Sequence, residues 1–378
     1  MIKRNNRYKR LIFLPLFILL VGCVELYDFV IEDESPYLVV EGYISDASFN
    51  ETLTYPSDGR YFTVKLSYTS EVTNVWGQDV SGAIVKLIDS EDNTWYYTEV
   101  YTDDRPVYQL LDNTFEAESG REYKLHVTLP DENIFESEWV SLPSLSPEVG
   151  EVNFTEEDKD GYDYIRGEKE VVTIKGITAS VELPEHNQND TYFYKWTFDP
   201  TYIVKTPYDI PDGSPIPAYC YVTNKYFLNV FTLQEDITGG YQQDLFFLEV
   251  IGNESMDDWL SVLIVQQSLN KEYFFFWQEL KESNSGNPII EKQPFNLATN
   301  FKSVNSESQV AGYFDVVSEK ATRWYFNHDM LSYDTEDAWA SMCALAIGPG
   351  PPPDGCENCL EYPKGIVTDQ KPSWWNPN

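Results

Sequence analysis

The sequence predicts a mainly β protein: an amino-terminal Ig-like or transthyretin-like β-sandwich, then a larger β-rich domain carrying one short amphipathic helix. Three observations carry this expectation. Short runs alternate apolar and polar residues, as in Phe62-Thr-Val-Lys-Leu-Ser-Tyr68, the period-two pattern of a strand with one buried face. Aromatic residues are 15% of the chain, with 27 Tyr, 21 Phe and 10 Trp, and these fit a pleated, half-buried surface. The 22 prolines and recurrent Gly, Asp and Asn turns cut the chain into short segments.

The chain opens MIKRNNRYKRLIFLPLFILLVGC. Lys3, Arg4, Arg7, Lys9 and Arg10 make a basic start, and residues 11–21 are an apolar run ending in Leu20-Val-Gly-Cys23, a lipobox. Spanning the hydrocarbon layer needs about 20 apolar residues, so this shorter run reads as an export signal and not an anchor helix. Gly22 suits the narrow subsite of a signal peptidase, and Cys23 supplies the thiol that takes a diacylglycerol. The expected organisation is a signal peptide over 1–22, an acidic tether over 23–35, the sandwich over 36–146 and the second domain over 147–378.

Strand patterns follow over 37–44, 62–68, 83–88, 95–101, 108–111 and 122–129, with a hairpin-like turn at 89–93. Their number and spacing suit a sandwich. Leu142-Pro-Ser-Leu-Ser-Pro-Glu148 places two prolines close together and suits an extended connector. Beyond it, strands are expected over 171–182, 191–198, 218–231, 245–251, 259–267, 312–317 and 323–326. Ser268 is a candidate helix cap before 269–282, where Tyr273, Phe276, Trp277 and Leu280 share one helical face. That spacing points to core packing rather than a sugar platform. The tail from Gly348 is Pro-rich and ends Lys371-Pro-Ser-Trp-Trp-Asn-Pro-Asn378.

The formal net charge is −36, with 62 acids against 26 Lys and Arg. Removing residues 1–22 takes away five cations and no anion, so the mature chain is more acidic still. Nucleic acid is excluded, since its binding draws on Lys and Arg neutralising phosphates. An anionic lipid surface is disfavoured for the same reason.

Five cysteines resolve into Cys23 and four others: Cys220, Cys343, Cys356 and Cys359. In an oxidising compartment these suggest two disulfides with three possible connectivities. Cys356-Glu-Asn-Cys359 is a CxxC, but a redox site needs a strand before it and a helix after it. Pro-rich Gly348–Gly355 precedes it and Leu360-Glu-Tyr-Pro363 follows. Zinc needs a second close ligand pair, which Cys220 and Cys343 do not form.

His126, His186 and His328 are the only histidines, without HExxH spacing, and neither a Gly-x-Ser-x-Gly nor a P-loop is present. Glu156, Asp158, Asp160 and Gly161 match the first half of a calcium loop, where alternating carboxylates converge. Its twelfth position is Gly167, with Glu168 one residue late, and flanking helices are not predicted. The segment is therefore expected to be an acidic loop, its three carboxylates a weak calcium candidate. No other metal or cofactor is indicated.

LVVEGYISD at 38–46, VSGAIVKLID at 80–89, YKLHVTLPD at 123–131, KEYFFFW at 271–277, VAGYFDV at 310–316 and the CENCL…KPSWW ending occur in that order after a lipobox. In this the chain resembles the DUF4249 lipoproteins of Bacteroidota, a family without an assigned activity. The resemblance implies an outer-membrane address, on the periplasmic or cell-surface face, and a TonB-dependent transporter as partner. It transfers no catalytic residues. The resulting expectation is a non-catalytic accessory lipoprotein; the alternatives are a glycan- or calcium-binding adhesin and a surface hydrolase.

Overall fold

Alternation in the sequence becomes strands in the computed structural model, which describes residues 36–69, 78–102, 104–187, 190–208, 215–285, 298–345 and 352–377. The expected signal peptide, the tether and Cys23 lie outside these residues. The first half of the chain contributes β1 (Leu38–Ser45), α1 (Phe49–Thr52), β2 (Phe62–Tyr68), β3 (Ile84–Asp89), β4 (Thr94–Tyr96), β5 (Thr98–Thr102), β6 (Arg105–Leu110), β7 (Glu122–Thr128), β8 (Ile134–Ser137) and β9 (Val140–Ser141). There follow β10 (Val152–Ile165), β11 (Glu168–Leu183), β12 (Tyr192–Lys205), β13 (Tyr219–Thr223), β14 (Phe231–Asp236) and β15 (Tyr241–Glu249). The last elements are β16 (Leu260–Ser268), α2 (Lys271–Ser285), β17 (Phe301–Ser303), β18 (Val310–Phe326), α3 (Ala338–Leu345) and β19 (Ile366–Thr368).

The fold is mainly β, as the sequence predicts. One ten-stranded sheet runs β19-β13-β12-β16-β18-β1-β2-β6-β5, with β14 also paired to β12. Its β1-β2-β6 side faces a second sheet, β17-β8-β7-β3-β4, and Val40, Val64 and Leu110 share a core with Leu87, Leu125 and Phe135. Its β12-β16-β18 side faces a third sheet, β10-β11-β15, where Trp196, Val262 and Phe326 pack with Ile177, Val181 and Leu248. The expected single strand over 95–101 divides at buried Tyr97: β4 pairs with β3, and β5 with β6 in the opposite sheet.

The two sandwiches are not separate modules. β18 runs parallel to β1 from Leu38↔Val310 to Ser45↔Val317, then antiparallel to β16 from Ser268↔Ser318 to Leu260↔Phe326. One strand, expected as two, thus serves both cores. Gly312 makes the approach possible: its φ is +91°, and a Cβ there would lie 2.0 Å from the Val40 carbonyl oxygen.

The expected connector at 142–148 divides the chain but not the sheets. Ser146 is buried, its N–H donates to Ser318 Oγ at 2.8 Å, and Gln266 Nε2 donates to the Pro147 carbonyl at 2.9 Å. Residues from 301 onward complete the amino-terminal sandwich through β17 and β18. A second correction concerns residues 156–163, expected as a loop: they are the middle of β10, which pairs with β11 from Val152↔Val181 to Ile165↔Glu168.

Helix α2 buries its aromatic face as its spacing predicts. Tyr273, Phe274 and Phe276 pack with Val317, Tyr43 and Phe193. Ser268 is the last residue of β16 rather than the cap, and the first turn closes with Phe274 N–H donating to the Asn270 carbonyl at 3.0 Å.

Candidate functional site

The three histidines do not come together. His126 Nδ1 lies 2.9 Å from Glu136 Oε1, and its Nε2 lies 3.3 Å from Thr128 Oγ1. Thr128 and His126 are two apart on β7, so their side chains leave the same face of the strand. His186 Nε2 is 3.0 Å from Asp236 Oδ2, and His328 Nε2 is 3.4 Å from Asp329 Oδ1.

The three carboxylates of the weak calcium candidate do not converge. Glu156, Asp158 and Asp160 are alternate residues of an extended strand, spaced roughly 7 Å apart along it, and cannot wrap one cation. Glu156 is engaged otherwise: Ser332 N–H and Ser332 Oγ donate to its carboxylate at 2.6 and 2.5 Å, holding that carboxyl below its usual range. Among the described residues, no three His, Cys, Asp or Glu side chains gather to hold a metal.

The four cysteines pair as Cys220–Cys359 and Cys343–Cys356. The CxxC thus divides, one thiol going to β13 and the other to α3. All four cysteines are buried. The stapled tail closes on its own fold. Trp375 is buried edge-on to Tyr221 and Tyr325, and Trp374 lies beneath Arg323, 3.4 Å from ring centre to guanidinium carbon. Those tryptophans are occupied by intramolecular packing.

A buried ionic row lies under α2, and nothing in the sequence patterning flags it. Lys195, Gln267 and Glu319 stand side by side on β12, β16 and β18. Gln267 Nε2 donates to Glu319 Oε2 at 3.0 Å, Arg60 pairs with Oε1, and Arg60 also donates to the Tyr43 hydroxyl at 2.8 Å. Lys195 Nζ sits 3.6 Å from the centre of the Trp277 ring. Burial pushes its ammonium down to about 7, while Glu319 pulls the other way. Nearby, burial pushes the Asp315 carboxyl up to about 7 against a 2.8 Å hydrogen bond from Asn270 Nδ2. Perturbed titrating groups often mark sites. Here the ring of Trp277 and the helix cover the row, and its contacts bind β12, β16, β18 and the β2 approach together.

The outward-facing feature is an arm. β10 and β11 run together past the body, and from Asp160 to Thr173 their described side chains are exposed apart from half-buried Gly161 and Val172. The tip is a two-residue turn, Arg166 at φ 55° and Gly167 at φ 87°, the type I′ conformation that matches strand twist. Tyr162 and Tyr164 stand on one face beside Val171 and Lys169, with exposures of 68%, 72% and 64% for Tyr162, Tyr164 and Val171. Lys169 Nζ lies 4.2 Å from the Tyr162 ring centre. At the base, Phe154 packs edge-on to Phe326, and Lys159 lies over Phe247 at 4.3 Å. Beside the base, an open cleft of about 530 Å³ separates β14 from β15, walled by Leu228, Val230, Leu245 and Phe246 with Lys281 at its rim.

A family model described as a domain of unknown function, DUF4249, matches residues 24–323. The chain belongs to the DUF4249 family. No curated protein matches it. Among solved structures, this DUF4249 protein is similar to a DUF4785 family protein from Legionella pneumophila, at 10% identity and a TM-score of 0.16 over 61% of this chain. The match spans about half, 52%, of that protein's length, and a superposition this poor says nothing of fold or activity here.

Proposed function

We propose that the protein is an accessory, non-catalytic lipoprotein of the outer membrane, held by lipid on Cys23 and partnering a TonB-dependent transporter in binding or uptake. The β10–β11 arm carries this reading. A two-stranded hairpin is marginal by itself, and this one leaves Tyr162 and Tyr164 in water beside exposed Val171; tyrosine is a side chain interfaces use as an anchor. The lipobox supports the address. The acidic surface suits a module standing beside an anionic membrane rather than lying on it.

The test is affinity purification of tagged protein from gently solubilised native outer membranes, with cross-linking and mass spectrometry. A transporter recovered in near-equal amount, cross-linked to residues of the arm, is the expected result. Recovery of the monomer alone after cross-linking would sink the proposal.

A further inference from the structure

β10 is an outer strand. It pairs with β11 on one side, and among the described residues it has no ladder on the other. A bare edge is a template for another chain, so its side chains decide which chain can use it. Between Glu156 and Glu170 there are seven carboxylates and three cations. Of the cations, Lys159 pairs with Glu157 at 3.2 Å and Lys169 lies over Tyr162. Asp158, Asp160, Asp163, Glu168 and Glu170 have no ion-pair partner among the described residues. Asp163 stands directly opposite Glu170, a like-charge pair that weakens the ladder.

This pattern rejects a second copy, because two β10 edges would bring one acidic run against another. On the footing that the arm is the docking element, we infer that the free edge of β10 accepts an extended, basic segment of the partner protein by strand addition. Charge complementarity selects the occupant. On one face β10 presents Asp158 and Asp160, then Tyr162 and Tyr164 towards the tip. A strand with Lys or Arg at alternate positions sets cations beside the two carboxylates first and beside the two rings next. The main chain of the incoming strand completes the ladder, and its cations stay on the face of Asp158 and Asp160, away from the Asp163–Glu170 pair on the opposite face.

The probes are two synthetic peptides, one of alternating lysine and threonine and one with glutamate in place of lysine. Binding to the detergent-purified full chain is read by fluorescence anisotropy and by amide hydrogen exchange. The lysine peptide is expected to bind at least about tenfold more tightly than the glutamate peptide, to weaken between ~0.05 M and ~0.5 M salt, and to slow exchange within β10. Asp158→Asn with Asp160→Asn should weaken it by about tenfold, and Tyr162→Ser with Tyr164→Ser should also weaken it. Equal binding of both peptides, no binding of either, or binding that leaves β10 exchange unchanged overturns strand addition. A variant with 160–173 replaced by a short turn separates the two ideas in the native-membrane capture. If it loses the partner while D158N/D160N keeps it fully, docking by the arm stands and basic strand addition is refuted. If the shortened variant keeps the partner, arm docking itself is refuted.

Discussion

Replacing Lys195 by methionine is expected to stabilise the protein at neutral pH, and the gain should fade as pH rises. Lys195 is buried, and its ammonium falls from an ordinary 10.5 to about 7. At 1.36 kcal/mol per pH unit this displacement sets a ceiling of about 5 kcal/mol. The Trp277 ring at 3.6 Å returns ~2 kcal/mol to a desolvated cation, so a net gain of about 3 kcal/mol is expected. The sign follows from proton counting. Between about 7 and 10.5 the unfolded lysine holds a proton that the folded one has lost, so wild-type stability rises with pH there. Below 7 both states are protonated and the penalty is complete. Tyr97 and Tyr273, raised by burial, act only above the ordinary tyrosine range. Guanidinium denaturation of wild type and Lys195→Met between pH 6 and 9.5 measures the gap. A gap that does not narrow with pH, or a methionine variant less stable at pH 6, refutes the view that burial costs this ammonium more than Trp277 and Glu319 return.

Asp315 should act with the opposite sign in a lower window. Burial lifts its carboxyl from 3.8 to about 7, so between those values the folded state holds the extra proton and stability falls as pH rises; Asp315→Asn should remove that slope in denaturation at pH 4.5 and 7. Gly312→Ala should cost more than ~3 kcal/mol, from the clash with Val40 and the left-handed φ together, and should appear as loss of folded protein in thermal melts. Removing Cys220–Cys359, which closes a separation of 139 residues, should cost about 5 kcal/mol on chain entropy, against about 3 kcal/mol for Cys343–Cys356 with a separation of 13. Calorimetry of the two paired Cys→Ala variants checks that order.

Period-two alternation made the amino-terminal strands legible, because each has one wet face and one dry face. The same rule reads β16 as half-buried, whereas all its residues are buried, with Leu260, Val262 and Ile264 facing the core shared with β11 and β15 and the opposite face covered too. Helical spacing located α2 within a few residues. The arm was missed because β10 has no dry face past its base, so acidic residues filled positions where alternation would have shown. Its readable signal was Arg166-Gly167 flanked by Tyr162, Tyr164 and Val171, a two-residue turn between alternating runs. The ionic row was not legible at all. Lys195, Gln267 and Glu319 are far apart in sequence and meet only through strand register, which a single chain of letters does not display.

The shared strand also imposes a timetable. β1 cannot complete its pairing until Val310–Val317 arrive, about 270 residues later. Until those residues have followed, in whichever compartment the chain folds, the first sandwich waits with one side of β1 uncovered. Its strands must meanwhile avoid neighbouring chains, a hazard that grows with the sequence distance of the contacts. Neither half can therefore be expected to fold when expressed alone: a fragment ending near 146 lacks β17 and β18, and one starting there lacks the strand against which Gly312 was fitted.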